Sequence, residues 1–150
     1  RDIVLFQMQE ILRAERITDD SVIQQELDAY NTLLPEPNEL SAAVFVEFDD
    51  KTDIQPLLNR FSGLTGDNPM WLEFETGQKL HGQSATDESS SRMLSPVFYL
   101  RFPFDSEHKN LLADPENPVR LAIHHREYHH TITVESELRQ ALVVELSGGL

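Results

Sequence analysis

Apolar and polar positions recur with different periods along this chain, and each change of period marks an element. In "DIVLFQMQEILRAERI" Leu5, Met8 and Leu12, flanked by Val4 and Ile11, form one stripe at helical spacing, with Glu10, Arg13 and Arg16 turned away. "TDDSVIQQELDAYNTLLP" predicts a second helix. Ser21 and Gln24 have capping-box spacing, Ile23, Leu27, Tyr30 and Leu34 follow one face, and Pro35 and Pro37 end the run. Period two then takes over. "AAVFVEF", from Ala42 to Phe48, predicts a strand from its β-branched and aromatic content. "TDIQPLLNRFSG" returns to helix, with Thr52 as cap, Gln55 as its partner and Gly63 as the stop. "MWLEFETGQKLHG" alternates around a glycine turn and predicts a hairpin, and the polar, serine-rich stretch over 83–94 predicts a flexible loop.

Beyond that loop the pattern recurs. "SPVFYLRF" resembles "AAVFVEF", and "DSEHKNLLADP" resembles the earlier helix. "NPVRLAIHHREYHHTITV" lines up under "NPMWLEFETGQKLHG" through its Asn-Pro start, its Leu and its late His. The expectation is two βαββ units, over 42–82 and 95–134, forming a mostly antiparallel sheet. Two helices within 1–38 precede them, and a helix over 135–146, "ESELRQALVVEL", follows. The fold class is therefore α+β, and the length suits a single domain.

Four of the six histidines lie in "AIHHREYHHTI". Tyr128, Thr131, Ile132, Thr133 and Val134 favour strand there, not helix. With the turn at Arg126-Glu127, aligned with Gly77-Gln78, Val119, Leu121 and Ile123 face Val134, Ile132 and His130. The other face then sets His124 opposite His129. A one-residue slip would destroy this match. Opposed imidazoles can share a divalent metal ion, with a third donor from Glu75, Glu127, His81 or a partner chain. The competing reading is a solvent-facing polar pair. At the turn His125 and Tyr128 close the hairpin, with the Tyr128 ring expected inward and His125 bonded to nearby backbone or carboxylate.

Composition narrows the function classes. Twelve Lys and Arg stand against 26 Asp and Glu, for a net charge of −14. The basic residues are scattered, so neither nucleic acid nor an anionic membrane surface is an expected partner. The chain has no cysteine, which excludes disulfides, thiolate metal sites and thiol nucleophiles and suits a cytoplasmic protein. Glu127 and His130 have the spacing of a di-iron fragment, but that motif needs helices and a second copy. HExxH, phosphate-binding glycine loops and nucleophile elbows are absent from the sequence.

The strings "FQMQEILRAERI", "IQQELDAYNTLLPEPNELSA", "VFYLRF" and "IHHREY" resemble the bacterial domain-of-unknown-function family DUF3501. The positions that match its pattern are Gln7, Gln9, Glu10, Arg13, Glu15, Arg16, Glu26, Leu27, Tyr30, Asn31, Pro35, His125 and Tyr128. Where the pattern often has Pro after His125 this chain has Arg126. The resemblance implies a further N-terminal segment, in keeping with a start at Arg1. It implies no reaction, and its only metabolic hint is neighbouring genes for rubrerythrin-like and iron–sulfur redox proteins.

Three functions follow as expectations. One is a non-enzymatic accessory or interaction protein with a protein partner or a second copy of itself. Another is a metal-binding protein or metal-dependent enzyme using His124 and His129. The third is a small-molecule binding domain. Whichever holds, Tyr30, Asn31, His125 and Tyr128 are candidates for one shared binding site, and at least two of Gln7, Glu10, Arg13 and Glu15 are expected to contact "LDAYN".

Overall fold

Local backbone chemistry sets the first two helices. α1 (Asp2–Ala14) stops where Arg16 turns left-handed at φ 53°, and the Ile17 N–H reaches back to the Leu12 carbonyl at 3.0 Å. α2 (Asp20–Asn31) is capped by Asp19 and not by the expected Ser21. The Asp19 carboxylate accepts from the Ser21 hydroxyl at 2.5 Å and from the N–H groups of Ser21 and Val22 at 2.9 and 3.3 Å. Asp wins because its carboxylate satisfies three donors together. Those bonds, led by the Ser21 hydroxyl, hold its carboxyl below the ordinary range. Gln24 instead bonds Asp28 at 2.8 Å. On α1 Met8 is buried as expected, while Leu5 is exposed with Phe6.

The structure is a computed structural model, and it describes residues 2–31, 34–47, 56, 59–60, 69–85 and 97–148. Two compact units divide the chain, Arg1–Glu36 and Pro37–Leu150. Strands and further helices fill the second: β1 (Glu39–Phe45), β2 (Met70–Phe74), β3 (Lys79–His81), β4 (Gln83–Ser84), β5 (Val97–Pro103), α3 (Ser106–Ala113), β6 (Val119–His125), β7 (Tyr128–Thr133) and α4 (Ser136–Leu146). β1 begins three residues before the expected Ala42, because the Phe104 N–H already bonds the Asn38 carbonyl at 2.8 Å and opens the ladder there. Of the helix expected over "TDIQPLLNRFSG", Pro56, Asn59 and Arg60 are helical, and Thr52, Gln55 and Gly63 lie outside the described residues. The loop expected over 83–94 starts with β4, which pairs with β5, and 86–96 lie outside the described residues.

Among the described residues all strand pairs are antiparallel, and they form two sheets, ordered β1-β5-β4 and β3-β2-β6-β7, where alternation alone suggested one. Gly82 is the reason. It separates β3, which pairs with β2, from β4, which pairs with β5, so one short stretch of chain serves both sheets. A Cβ at Gly82 would stand 2.8 Å from the Phe102 ring and 3.2 Å from Leu100.

The core gathers alternate residues of both sheets with the helices. Phe98, Leu100 and Phe102 come from β5, Leu72 and Phe74 from β2, Val119 from β6, Leu112 from α3 and Leu146 from α4. Burial of such side chains contributes roughly 1.5–3 kcal/mol each. Asp105 caps α3 by accepting from the His108 N–H at 2.7 Å. Buried Asn117 donates to the Leu111 carbonyl at 2.9 Å and accepts from the Glu75 N–H at 3.0 Å. The Asn of the second Asn-Pro pair thus ties the end of α3 to the β2–β3 turn and keeps both its polar atoms satisfied. Gly82→Ala is expected to lower stability by about 1–3 kcal/mol through overpacking against Phe102. Urea denaturation of the variant beside the parent checks this, and an unchanged midpoint would remove Gly82 from its role.

Candidate functional site

The histidine-rich hairpin has the register that alternation predicts. Leu121 pairs with Ile132, Ala122 with Thr131, Ile123 with His130, His124 with His129 and His125 with Tyr128, around Arg126-Glu127. The first hairpin turns differently. Glu75, Thr76 and Gly77 make its turn, with Gly77 at φ 84° and its N–H on the Phe74 carbonyl at 2.9 Å. That extra turn residue, and the longer β6, undo the expected match of Gly77-Gln78 with Arg126-Glu127. His81 then faces Trp71, while His130 faces Ile123 on the opposite side of the sheet.

One side of the four-stranded sheet carries Leu72, Phe74 and Val119 into the core. Among the described residues the other is open, with His81, His124 and His129 exposed, and it carries a row of rings. The Trp71 indole lies 5.5 Å from the His81 ring and 6.5 Å, edge-on, from His124, and His124 lies 6.0 Å, edge-on, from His129. The Lys79 ammonium stands 4.3 Å from the Trp71 ring centre, a cation–π contact, and the indole N–H donates to Glu73 at 3.2 Å. Opposite Trp71 on β6 is Ala122, a small buried residue facing a large ring. Trp71 and Lys79 were not among the expected site residues. The signal for Trp71 was present, because it stands in phase with outward Glu73, and not with Leu72 and Phe74, in an alternating strand.

The structure brings His124 and His129 together, yet among the described residues no three His, Cys, Asp or Glu side chains are grouped to hold a metal ion. The proposed third donors are engaged elsewhere. Glu75 pairs with Arg120 at 3.5 Å, Glu127 with Arg60 at 2.5 Å, and His81 lies on the far side of Trp71. His125 is buried, only 9% exposed, and its Nδ1 accepts from the Glu127 N–H at 3.3 Å. Tyr128 is 49% exposed, so its ring does not pack inward as expected. Strand parity places it on the core-facing side, but β7 is the edge strand of its sheet, and the Tyr128 ring lies 6.3 Å from the ring of exposed His130.

The other expected residues fall in the helical unit. Tyr30 and Asn31 end α2, and Glu10 and Arg13 form a two-bond pair with each other on α1, at 3.0 and 2.6 Å. Among the described residues a groove of about 480 Å³ lies between α3 and α4, lined by Leu112, Pro115, Gln140, Val143 and Val144. Its cation, Arg139, is spent on capping α3, donating to the Leu112 and Leu111 carbonyls at 2.6 and 3.4 Å. Also among the described residues, no helix is long and apolar enough to cross a membrane.

The chain matches the model of a family described as "Protein of unknown function (DUF3501)" over residues 1–146. It is similar to a crystal structure of a novel protein of unknown function from Burkholderia pseudomallei K96243, with a TM-score of 0.80 and 26% identity, over 96% of this chain and 75% of that one. No curated protein matches it.

Glu127 fixes the tip of the hairpin that carries the histidines. The Arg60 guanidinium, with smaller help from Arg126 and His125, holds its carboxyl below the ordinary glutamate range. A depressed acid contributes stability above its unfolded pKa and loses it as pH falls through the folded one. Arg60→Ala is therefore expected to move the Glu127 titration midpoint upward in a carbon-detected NMR titration. A midpoint that stays put would show that Arg60 does not hold the tip.

Proposed function

The chain belongs to the DUF3501 family, and on that premise we propose that it is a non-enzymatic accessory protein that receives a protein partner on the open face of its four-stranded sheet. We place it in the cytoplasm, in a redox or iron-handling setting. The observation that carries the reading is Trp71. It is the chain's one tryptophan, half-buried on the open side of a strand, with Lys79, His81 and His124 around its ring. A tryptophan loses little rotamer freedom on binding, buries a large area, and is enriched, with tyrosine and arginine, among the energetic anchors of protein interfaces. The imidazoles beside it supply both donors and acceptors. Affinity capture from cells that make the protein natively, followed by mass spectrometry, tests this. A partner held by the parent and by Val144→Ala, and lost from a folded Trp71→Ala protein, is the expected outcome. A set of captured proteins indifferent to Trp71 would contradict it.

A second reading rests on the His124–His129 pair. Two imidazoles 6.0 Å apart across neighbouring strands can both reach one zinc, nickel or copper ion, with water or a partner completing the shell. Trp71 lies beside His124, so the ion would sit close to the only indole. Titration with nickel(II) is expected to quench Trp71 emission at about one equivalent, and His124→Ala to abolish the quenching. Emission that does not respond, or that responds equally in the variant, would set the metal reading aside.

A further inference from the structure

The four-stranded sheet ends in two unlike edges. β3 is three residues long and begins with Lys79, whereas β7 is six residues long and exposed throughout. β7 reads Tyr-His-His-Thr-Ile-Thr, with no Lys, Asp, Glu or Pro, in a chain that is 25% charged. Sheets normally defend a free edge with such residues, with shortness or with a bulge. β3 has that defence and β7 lacks it.

We propose that β7 pairs with β7 of a second copy of this chain, antiparallel about a two-fold axis through His130, joining two four-stranded sheets into one. The backbone restricts the register. The Val134 N–H donates to the Val119 carbonyl at 2.8 Å, so even-numbered positions turn their polar groups toward β6. By alternation His129, Thr131 and Thr133 turn theirs outward. A ladder needs outward positions opposite one another, so paired numbers must share parity, and the same condition keeps the core-facing side continuous across both copies.

Side chains then choose among the remaining registers. An axis at His130 sets Tyr128 against Ile132 of the second copy, twice, and His129 against Thr131. Tyr128 and Ile132 are the exposed apolar residues of the strand, at 49% and 51%. An aromatic ring against a β-branched side chain is a favourable cross-strand pair. An axis at Thr131 would offer Tyr128 only Val134, already buried, and an axis at His129 would set Ile132 against Arg126. On the open side, the His130 axis makes His129 a diagonal neighbour of His129 in the second copy, which lengthens the imidazole row.

Strand pairing of this length buries less than the roughly 1,200 Å² of a standard interface, so the dimer is a weak one, with a Kd on the order of 10–100 μM. Each copy carries −14, so added salt screens the repulsion and tightens association. The edge contact does not use Trp71, and the two proposals are tested independently.

Sedimentation equilibrium of the full chain over about 5–500 μM tests it. The expected result is a reversible monomer–dimer equilibrium, strengthened by salt. Thr131→Pro removes an outward N–H, which an edge strand tolerates, and should leave a folded monomer at every concentration. Ile132→Glu, which places a charge against Tyr128, should weaken the dimer at least about tenfold, and it serves if the proline variant fails to fold. Val144→Glu, on exposed α4 surface, should dimerise like the parent. A parent chain that stays monomeric throughout, a folded proline variant that dimerises like the parent, an Ile132→Glu protein of parental affinity, or loss of the dimer in Val144→Glu would each overturn the proposal.

Discussion

The pairing of β2 with β6 is the constraint on which the rest of the β-rich unit depends. Leu72 stands opposite Leu121, with Met70 opposite Ile123 and Phe74 opposite Val119. These strands lie at the centre of the four-stranded sheet, so their register decides the face of every residue in β3 and β7. With Leu72, Phe74 and Val119 committed to the core, Trp71, His124 and His129 must lie on the open side. A slip of one residue would bury the Trp71 phase and expose the leucines, exchanging several apolar side chains worth roughly 1.5–3 kcal/mol each. The candidate site is thus a consequence of core packing, held in place by hydrophobic burial on the far side of the same strands.

How far the sequence disclosed this varies with the physics of each element. The His124–His129 pairing was legible because strand alternation and a two-residue turn leave a single register that separates apolar from polar positions. The fate of Tyr128 was not, because parity names a face but does not say whether anything covers it. β7 is an edge strand, and its core-facing positions extend past the core. The first hairpin misled for a different reason. A glycine in a turn permits two lengths, and the three-residue version moves His81 onto the face that His130 does not share. Gly82 ends the "MWLEFETGQKLHG" string with no further signal, and only the Phe102 ring and Leu100 beside it show why no side chain fits. Asp19 outcompeted Ser21 as a cap because three donors converge on its carboxylate, a count that depends on local backbone geometry.

Function followed the same division. The family pattern pointed to His125 and Tyr128, and the structure gives His125 a role within the hairpin, accepting from the Glu127 N–H. The ring cluster that stands out on the open face centres on Trp71, outside that pattern. The polar residues of "ILRAER" include an ion pair, Glu10 with Arg13, that is satisfied within its own helix. Neither the family nor the solved relative assigns a chemistry, and the surface features that favour a binding role are a large aromatic ring turned outward and the polar groups gathered around it.

That arrangement is open to direct measurement. A two-dimensional proton NOE spectrum of the protein in solution reports which rings lie together. The account predicts cross-peaks from the Trp71 indole protons to ring protons of both His81 and His124, and none to the methyl groups of Leu100 or Leu112. Indole cross-peaks to those core methyls, or the absence of contacts to both histidines, would contradict it.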